Sequence, residues 1–181
     1  MRKVAVIASA SGNGKTTVGR ELARLLAVQF VELDALVHGP GWAETPDQEL
    51  RAKIEPIIAS DGWVIDGTYQ RKLGDLVLRE AEVVVWLDLP IHIWLPRLVR
   101  RTARRIGGRE TLWNGNRETL PSVIWGRDSL FVWAFRSHFR RRRDWPEALE
   151  PCAVVRLRTE AEVTVFLEEV STSSRAIDPR R

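Results

Sequence analysis

Only one cysteine, Cys152, and one methionine occur in this 181-residue chain. A lone thiol excludes an internal disulfide framework, so a reducing, cytoplasmic setting is expected, with Cys152 as a free buried thiol. Histidine is scarce as well. His38, His92 and His138 share no metal-ligand spacing with one another or with Cys152, which speaks against a zinc centre. No apolar run approaches the ~18 residues of a membrane helix, so no membrane partner is expected. The opening "RKVAVIA" is too short for a signal peptide and lacks a cleavage site. Repeats and low-complexity blocks are missing too. The 44% apolar and 29% charged fractions are those of one soluble globular domain with a real core.

Lysine is a further shortage: Lys3, Lys15, Lys53 and Lys72 are the only ones among 28 basic residues. The net charge is +4 and the isoelectric point near 9.8. Most of the arginine falls in "RLVRRTARRIGGR" (97–109) and "FRSHFRRRRDW" (135–145), and such clustering points to one anionic ligand surface.

What the chain does have is an alternation of short β-branched runs with helical periodicity. "KVAVIA", "FVEL", "WVID", "VVVWLDL" and "CAVVRL" read as five buried strands. Between them, helices are expected over 14–27, from Pro46 to Ser60, over 91–106 with Pro96 confined to the first turn, and from Pro121 to about Arg143. A last helix carries Val163, Phe166, Leu167 and Val170. Thr45 to Gln48 has capping-box spacing. Strands alternating with helices imply a parallel sheet covered on both faces, in which ligands bind at the carboxyl ends of the strands. Ser9, Asp34, Asp66 and Asp88 all fall on that rim.

The first strand runs into "SASGNGKTT" (9–17), which ends like a phosphate-binding loop but has Ser9 where the strict pattern wants glycine. Such a loop aims backbone N–H groups and a helix N-terminus at a phosphate chain. Gly12 and Gly14 fall where a side chain would block that approach or where φ is positive. Ser11, Gly12, Asn13, Gly14, Lys15, Thr16 and Thr17 are therefore the expected ATP-binding residues, with Lys15 reaching the β- and γ-phosphates and Thr16 on Mg2+. The first pattern position sits at the strand exit, where a small residue suffices, so Ser9 is expected to be accommodated. Asp66 is the expected acidic metal partner, with Asp88 competing for that role. Asp34 is placed to deprotonate or orient an acceptor hydroxyl, or else simply caps the following turn. Arg97, Arg101 and Arg104 lie on one helix face and can close over transferring phosphate; Arg71 is an acceptor-side candidate. Trp42 stacks on a substrate or anchors its loop. Trp63 and Trp86 read as core, and Trp125, Phe131, Trp133, Phe135 and Phe139 as the packing face of the long helix.

Taken together, "SGNGKTT", "ELDALVHGPGWAETP", "WVIDGTYQR" and "VVVWLDLP" before an arginine-rich helix resemble the adenylate-kinase-like P-loop proteins often labelled DNA topology modulation protein-like. The resemblance runs from about Val4 to Val170; the stretch from Arg105 to Pro121 has no pattern that aligns. It implies an α/β, three-layer P-loop NTPase fold of the nucleoside monophosphate kinase kind, with a five-stranded parallel sheet in the order 2-3-1-4-5, and ATP as donor. Residues 1–170 then form one domain. About 35–62 make an acceptor-side insertion, about 97–145 an arginine-rich lid and long helix, and 171–181 a flexible tail. The leading expectation is a Mg-dependent ATP phosphotransferase acting on a nucleotide, nucleoside or other small acceptor. The alternative is a nucleotide-dependent nucleic-acid-binding protein, suggested by Arg140 to Arg143 and the neighbouring aromatics.

Overall fold

The computed structural model describes residues 1–108, 113–116 and 129–177. The expected strands form as β1 (Lys3–Ala8), β2 (Gln29–Glu32), β3 (Trp63–Asp66), β4 (Val83–Leu87) and β5 (Val154–Leu157). All neighbours pair in parallel, in the order β2-β3-β1-β4-β5. The helices are α1 (Lys15–Leu26), α2 (Leu33–Val37), α3 (Asp47–Ile58), α4 (Gln70–Leu73), α5 (Leu76–Glu80), α6 (Ile91–Gly107), α7 (Leu130–Ala148) and α8 (Glu160–Ile177).

Strand β1 shows why three layers result. Its side chains alternate between the sheet's faces. Ala5 and Ile7 join Leu33, Leu50, Ile54, Trp63 and Trp86 in a core beneath α2, α3 and α5. Val4, Val6 and Ala8 join Val18, Leu22, Val85 and Val170 in a second core beneath α1 and α8. A smaller third cluster of Ala10, Trp94, Leu98 and Ala134 fastens α6 and α7 over the loop after β1. The register sets Val6 opposite Asp66 and Ala8 opposite Leu87, so the exits of β3 and β4 flank the exit of β1.

Several local expectations are corrected. Asp34 lies inside a helical turn, because the chain bends into α2 as soon as Leu33 reaches the core. Thr45 does not cap α3: its hydroxyl donates to the Leu36 carbonyl at 2.7 Å, and Pro46 takes the cap position. Pro96 sits in the second turn of α6, within the helix. Helix α7 passes Arg143 and ends at Ala148; Ser129 caps its start, and the expected stretch 121–128, with Trp125, lies outside the described residues. Trp133, Phe135 and Phe139 are 39 to 58% exposed, because Ala134, Ser137 and His138 form the buried stripe. The expected tail from 171 continues α8 to Ile177, with the Thr172 hydroxyl bonding back to the Glu168 carbonyl inside the helix.

His138 is fully buried against Trp94, with ring centroids 5.5 Å apart. Burial, then the Arg142 charge, lowers its pKa from the ordinary 6.5, and Asp88 opposes them. The unfolded chain therefore takes up this proton at higher pH than the folded chain does. Stability should fall as pH drops below 6.5, through the window down to the folded value. The urea midpoint measured from pH 7.5 to pH 5.5 should fall more steeply for the wild type than for His138→Gln; equal slopes would refute the assignment.

Candidate active site

The loop between β1 and α1 is set by its two inner glycines. Gly12 has φ 89° and Gly14 φ 86°, conformations that a side chain makes costly. A Cβ at Gly14 would meet nothing within 4 Å, so the backbone there faces open cleft. At Gly12 a Cβ would stand 2.5 Å from the Trp94 carbonyl oxygen, so glycine lets α6 close on the loop. Asn13 stitches the turn: its amide donates to the Ala10 carbonyl and its Oδ1 accepts from the Leu89 N–H, both at 2.9 Å. Helix α1 begins at Lys15 and directs its unsatisfied first-turn N–H groups into the cleft.

Beside the loop lies Asp66, whose carboxylate is fully buried. It is ion-paired with the Lys15 ammonium and accepts a 2.6 Å hydrogen bond from the Thr16 hydroxyl. Glu32 stands 3.5 Å from the same hydroxyl. Burial lowers the Lys15 pKa, as do the positive charges of Arg141 and Arg101, while Asp34 and Glu32 oppose the shift. The oxygens of Thr16, Asp66 and Glu32 are hard donors beside the phosphate loop, and they fit a Mg2+ ion that retains several waters.

Asp34 lines the same cleft as this group, and its charge acts on Lys15. Tyr69, in a left-handed conformation at φ 44°, donates its hydroxyl to Asp34 Oδ1 at 2.5 Å. Burial and the Asp34 charge push the Tyr69 pKa far above its usual value, so the phenol stays a donor. Behind it, His38 packs edge-on to Trp42 and stacks on Trp113. Asn116 clasps this corner, donating to the Gly39 carbonyl and accepting from the Trp42 N–H.

Arg141 closes the ring of charges. Its guanidinium lies between the Trp133 and Trp145 rings, 5.3 and 5.1 Å from their centroids, and donates to the Ala8 carbonyl at 2.8 Å. Burial, then the Arg140 charge, lowers its pKa to about 10, which leaves it cationic at neutral pH.

Residues 11–17, Asp34, Arg97, Arg101 and Arg104 line one cleft of about 1570 Å³. Arg97 is held at its rim by an ion pair with Glu160. Two candidates fall elsewhere. Arg71 is 86% exposed and pairs with Glu44 at 3.6 Å, and Trp42 lies behind His38 instead of lining the cleft. Asp88, the competitor for the metal, is engaged by Ser9, Arg142 and Arg156 instead of Thr16. Arg141, Tyr69, Glu32 and Trp113 were not among the expected site residues. Arg141 was legible in principle: with 134, 137, 138 and 145 it continues the buried stripe of α7 at helical spacing. Tyr69 and Trp113 depend on turns that the sequence does not announce, whereas Glu32 ends the readable strand β2.

With that geometry in place, the chain can be set beside known proteins. A family model for shikimate kinases matches residues 11–63. The shikimate kinase of Halorhodospira halophila is 30% identical over 135 residues, covering 66% of this chain and 73% of that enzyme. The shikimate kinase of a Sulfurihydrogenibium species is 32% identical over 101 residues; the match covers 48% of this chain and only 61% of that relative's length. In fold, the chain is similar to shikimate kinase from Acinetobacter baumannii in complex with shikimate, at TM-score 0.59 and 16% identity over 98% of this chain and 96% of the other. Among the described residues, no helix is long and apolar enough to cross a membrane.

The Gly12 contact generates a sharp expectation. Gly12→Ala combines a positive φ with a Cβ against helix backbone, so it should cost about 1–3 kcal/mol. Chemical denaturation measures this directly. Gly14→Ala has the same φ handicap without the collision and should cost less.

Proposed function

Because the chain belongs to the shikimate kinase family of P-loop kinases, we propose that it transfers the γ-phosphoryl group of ATP to a hydroxyl of a small anionic acceptor. The observation that carries this reading is the presence of two functional groups in one cleft. Lys15, Thr16 and Asp66 meet at the phosphate loop, and Asp34 with its Tyr69 partner lines the same cleft.

The chain's own residues account for each step. The loop amides and Lys15 bind the β- and γ-phosphates. Thr16 and Asp66 would hold Mg2+, which supplies positive charge to the phosphate oxygens when bound. Asp34, oriented by Tyr69, accepts the proton of the acceptor hydroxyl. The acceptor oxygen forms its bond to the γ-phosphorus as the bond to the bridging oxygen breaks, and ADP leaves. Arg101 and Arg104 from α6 offset charge on the equatorial oxygens, with Arg97 at the rim. Arg141, fixed between two indoles, holds the acceptor's carboxylate or phosphate. Tyr69 and Trp113 wall the reacting centre from water.

Shikimate or another small polyhydroxylated acid is the first acceptor to test. A nucleoside or nucleotide acceptor is the second, since Trp113 lines the cleft with an aromatic ring. The reading as a nucleotide-dependent DNA-binding protein is weaker. Of the Arg140–Arg143 run, Arg141 turns into the cleft and Arg142 pairs with Asp88, which leaves a short basic edge.

ADP release from Mg·ATP across shikimate, other hydroxy acids, nucleosides and nucleoside monophosphates decides the matter. One acceptor should raise release well above background. On it, Asp34→Asn should lower kcat about 10²–10⁴-fold with little change in KM for ATP. Lys15→Ala should lower turnover by at least about 100-fold. A fully active Lys15→Ala, or no response to any acceptor, would refute the kinase reading.

A further inference from the structure

Asp88 is a buried carboxylate that the proposed reaction does not use. Its Oδ1 accepts from the Ser9 hydroxyl at 2.6 Å. Its Oδ2 takes Arg156 through Nε at 3.1 Å and Nη2 at 2.6 Å, and Arg142 through Nε at 3.2 Å. Ser9 Oγ in turn accepts from the Trp86 indole N–H at 2.9 Å, and Arg156 lies 3.9 Å over the Trp86 ring. A glycine at position 9, as the strict loop pattern has it, would remove the hydroxyl that serves both Asp88 and Trp86. The departure from the pattern is therefore a built contact.

Its position gives that contact a consequence. Ser9 is the root of the phosphate loop, and the preceding Ala8 carbonyl receives Arg141. Consecutive residues of α7 thus hold consecutive residues at the loop's root: Arg141 reaches Ala8 directly, and Arg142 reaches Ser9 through Asp88. Two guanidinium groups on one carboxylate also leave a positive charge in excess at the base of the loop, which favours phosphate above it. Burying a carboxylate with two arginines is a poor route to stability alone, because desolvation offsets most of the attraction.

We propose that Ser9, Asp88 and Arg142 form a clamp that registers α7 on the phosphate loop, so that Arg141 and the loop amides act on ligands in one cleft. Asp88 is on this view a positioning residue and not a metal ligand. The inference rests on the kinase reading of the same loop for its purpose, but the clamp has a readout of its own.

The experiment uses Ser9→Ala, Arg142→Met and their double variant in the full chain, each first checked for folding by circular dichroism and urea midpoint. Hydrogen exchange of the free protein reports the loop directly. Amides of residues 10–14 should exchange at least about fivefold faster in either single variant, and no faster still in the double. Mg·ADP affinity, by calorimetry without any acceptor, should fall about tenfold in each single variant, again without adding, and Arg142→Lys should recover part of it. Unchanged exchange, effects that add in the double, or faster exchange with unchanged affinity would each overturn the clamp. If the wild type binds no Mg·ADP, the kinase reading fails, while the exchange data still decide whether the three residues act as a unit. Asp88→Asn serves as a check only if it folds, and should match the single variants.

Discussion

The ion pair between Lys15 and Asp66 is the contact on which the site's geometry depends. A carboxylate as deeply buried as Asp66 keeps its charge only with a partner or strong donors beside it. Lys15 and the Thr16 hydroxyl are those partners, and both come from the first turn of α1. The sheet favours the meeting. Strands β1 and β3 are adjacent, with Val6 opposite Asp66, so the carboxylate stands beside the exit of β1 from which the loop and α1 follow. The cost is a lysine whose charged form is disfavoured by burial. Such a cation is poorly solvated by its surroundings and is well placed to gain from an arriving phosphate, the sense in which binding energy is stored in a preorganised site.

The rest of the electrostatics follows the same logic on a larger scale. Arginines of α6 and Arg141 of α7 converge on the cleft that Lys15 occupies, and their mutual repulsion is part of what lowers the Lys15 pKa. Glu32 and Asp34 oppose it from the rim of β2. The cleft therefore combines cationic groups suited to phosphate with a carboxylate suited to a hydroxyl. The aromatic residues serve this combination. Trp133 and Trp145 give Arg141 two π faces, which hold a guanidinium in place without neutralising it as a carboxylate would.

How much of this was legible follows from which residues act locally and which act through contacts distant in sequence. The strands and the glycine-lysine-threonine loop are readable because each depends on a local pattern: a β-branched run, a positive φ, a helix start; the strand order follows from the family resemblance instead. Asp66 was readable because it ends such a run. The lengths of α7 and α8 were not, since helix ends are decided by what the last turns pack against. Residues 171–177 stay helical despite their serines and threonine. Aromatic content points to Trp133, Phe135 and Phe139 as a packing face, whereas all three are exposed. The buried stripe at 134, 137 and 138 holds a small residue and two polar ones, which hydrophobicity alone does not mark. Tyr69 is not legible in the sequence because its role needs a left-handed non-glycine residue, a strain that only the surrounding fold can impose.

Ser9 shows what a sequence pattern encodes. The strict motif asks for glycine at the loop's root. In this chain Trp86 and Asp88 turn polar atoms toward position 9, so a hydroxyl serves both where a methyl group would leave those atoms without this partner. The inner glycines allow no such exchange. At Gly12 the obstacle is helix backbone, which cannot offer a substitute contact, and at Gly14 it is the sign of φ. A departure from the pattern is tolerated where side chains meet the new group and refused where main chain blocks it or φ is positive. The residue types at 86 and 88, far along the chain, therefore decide whether the string at 9–16 is a defective motif or a complete one.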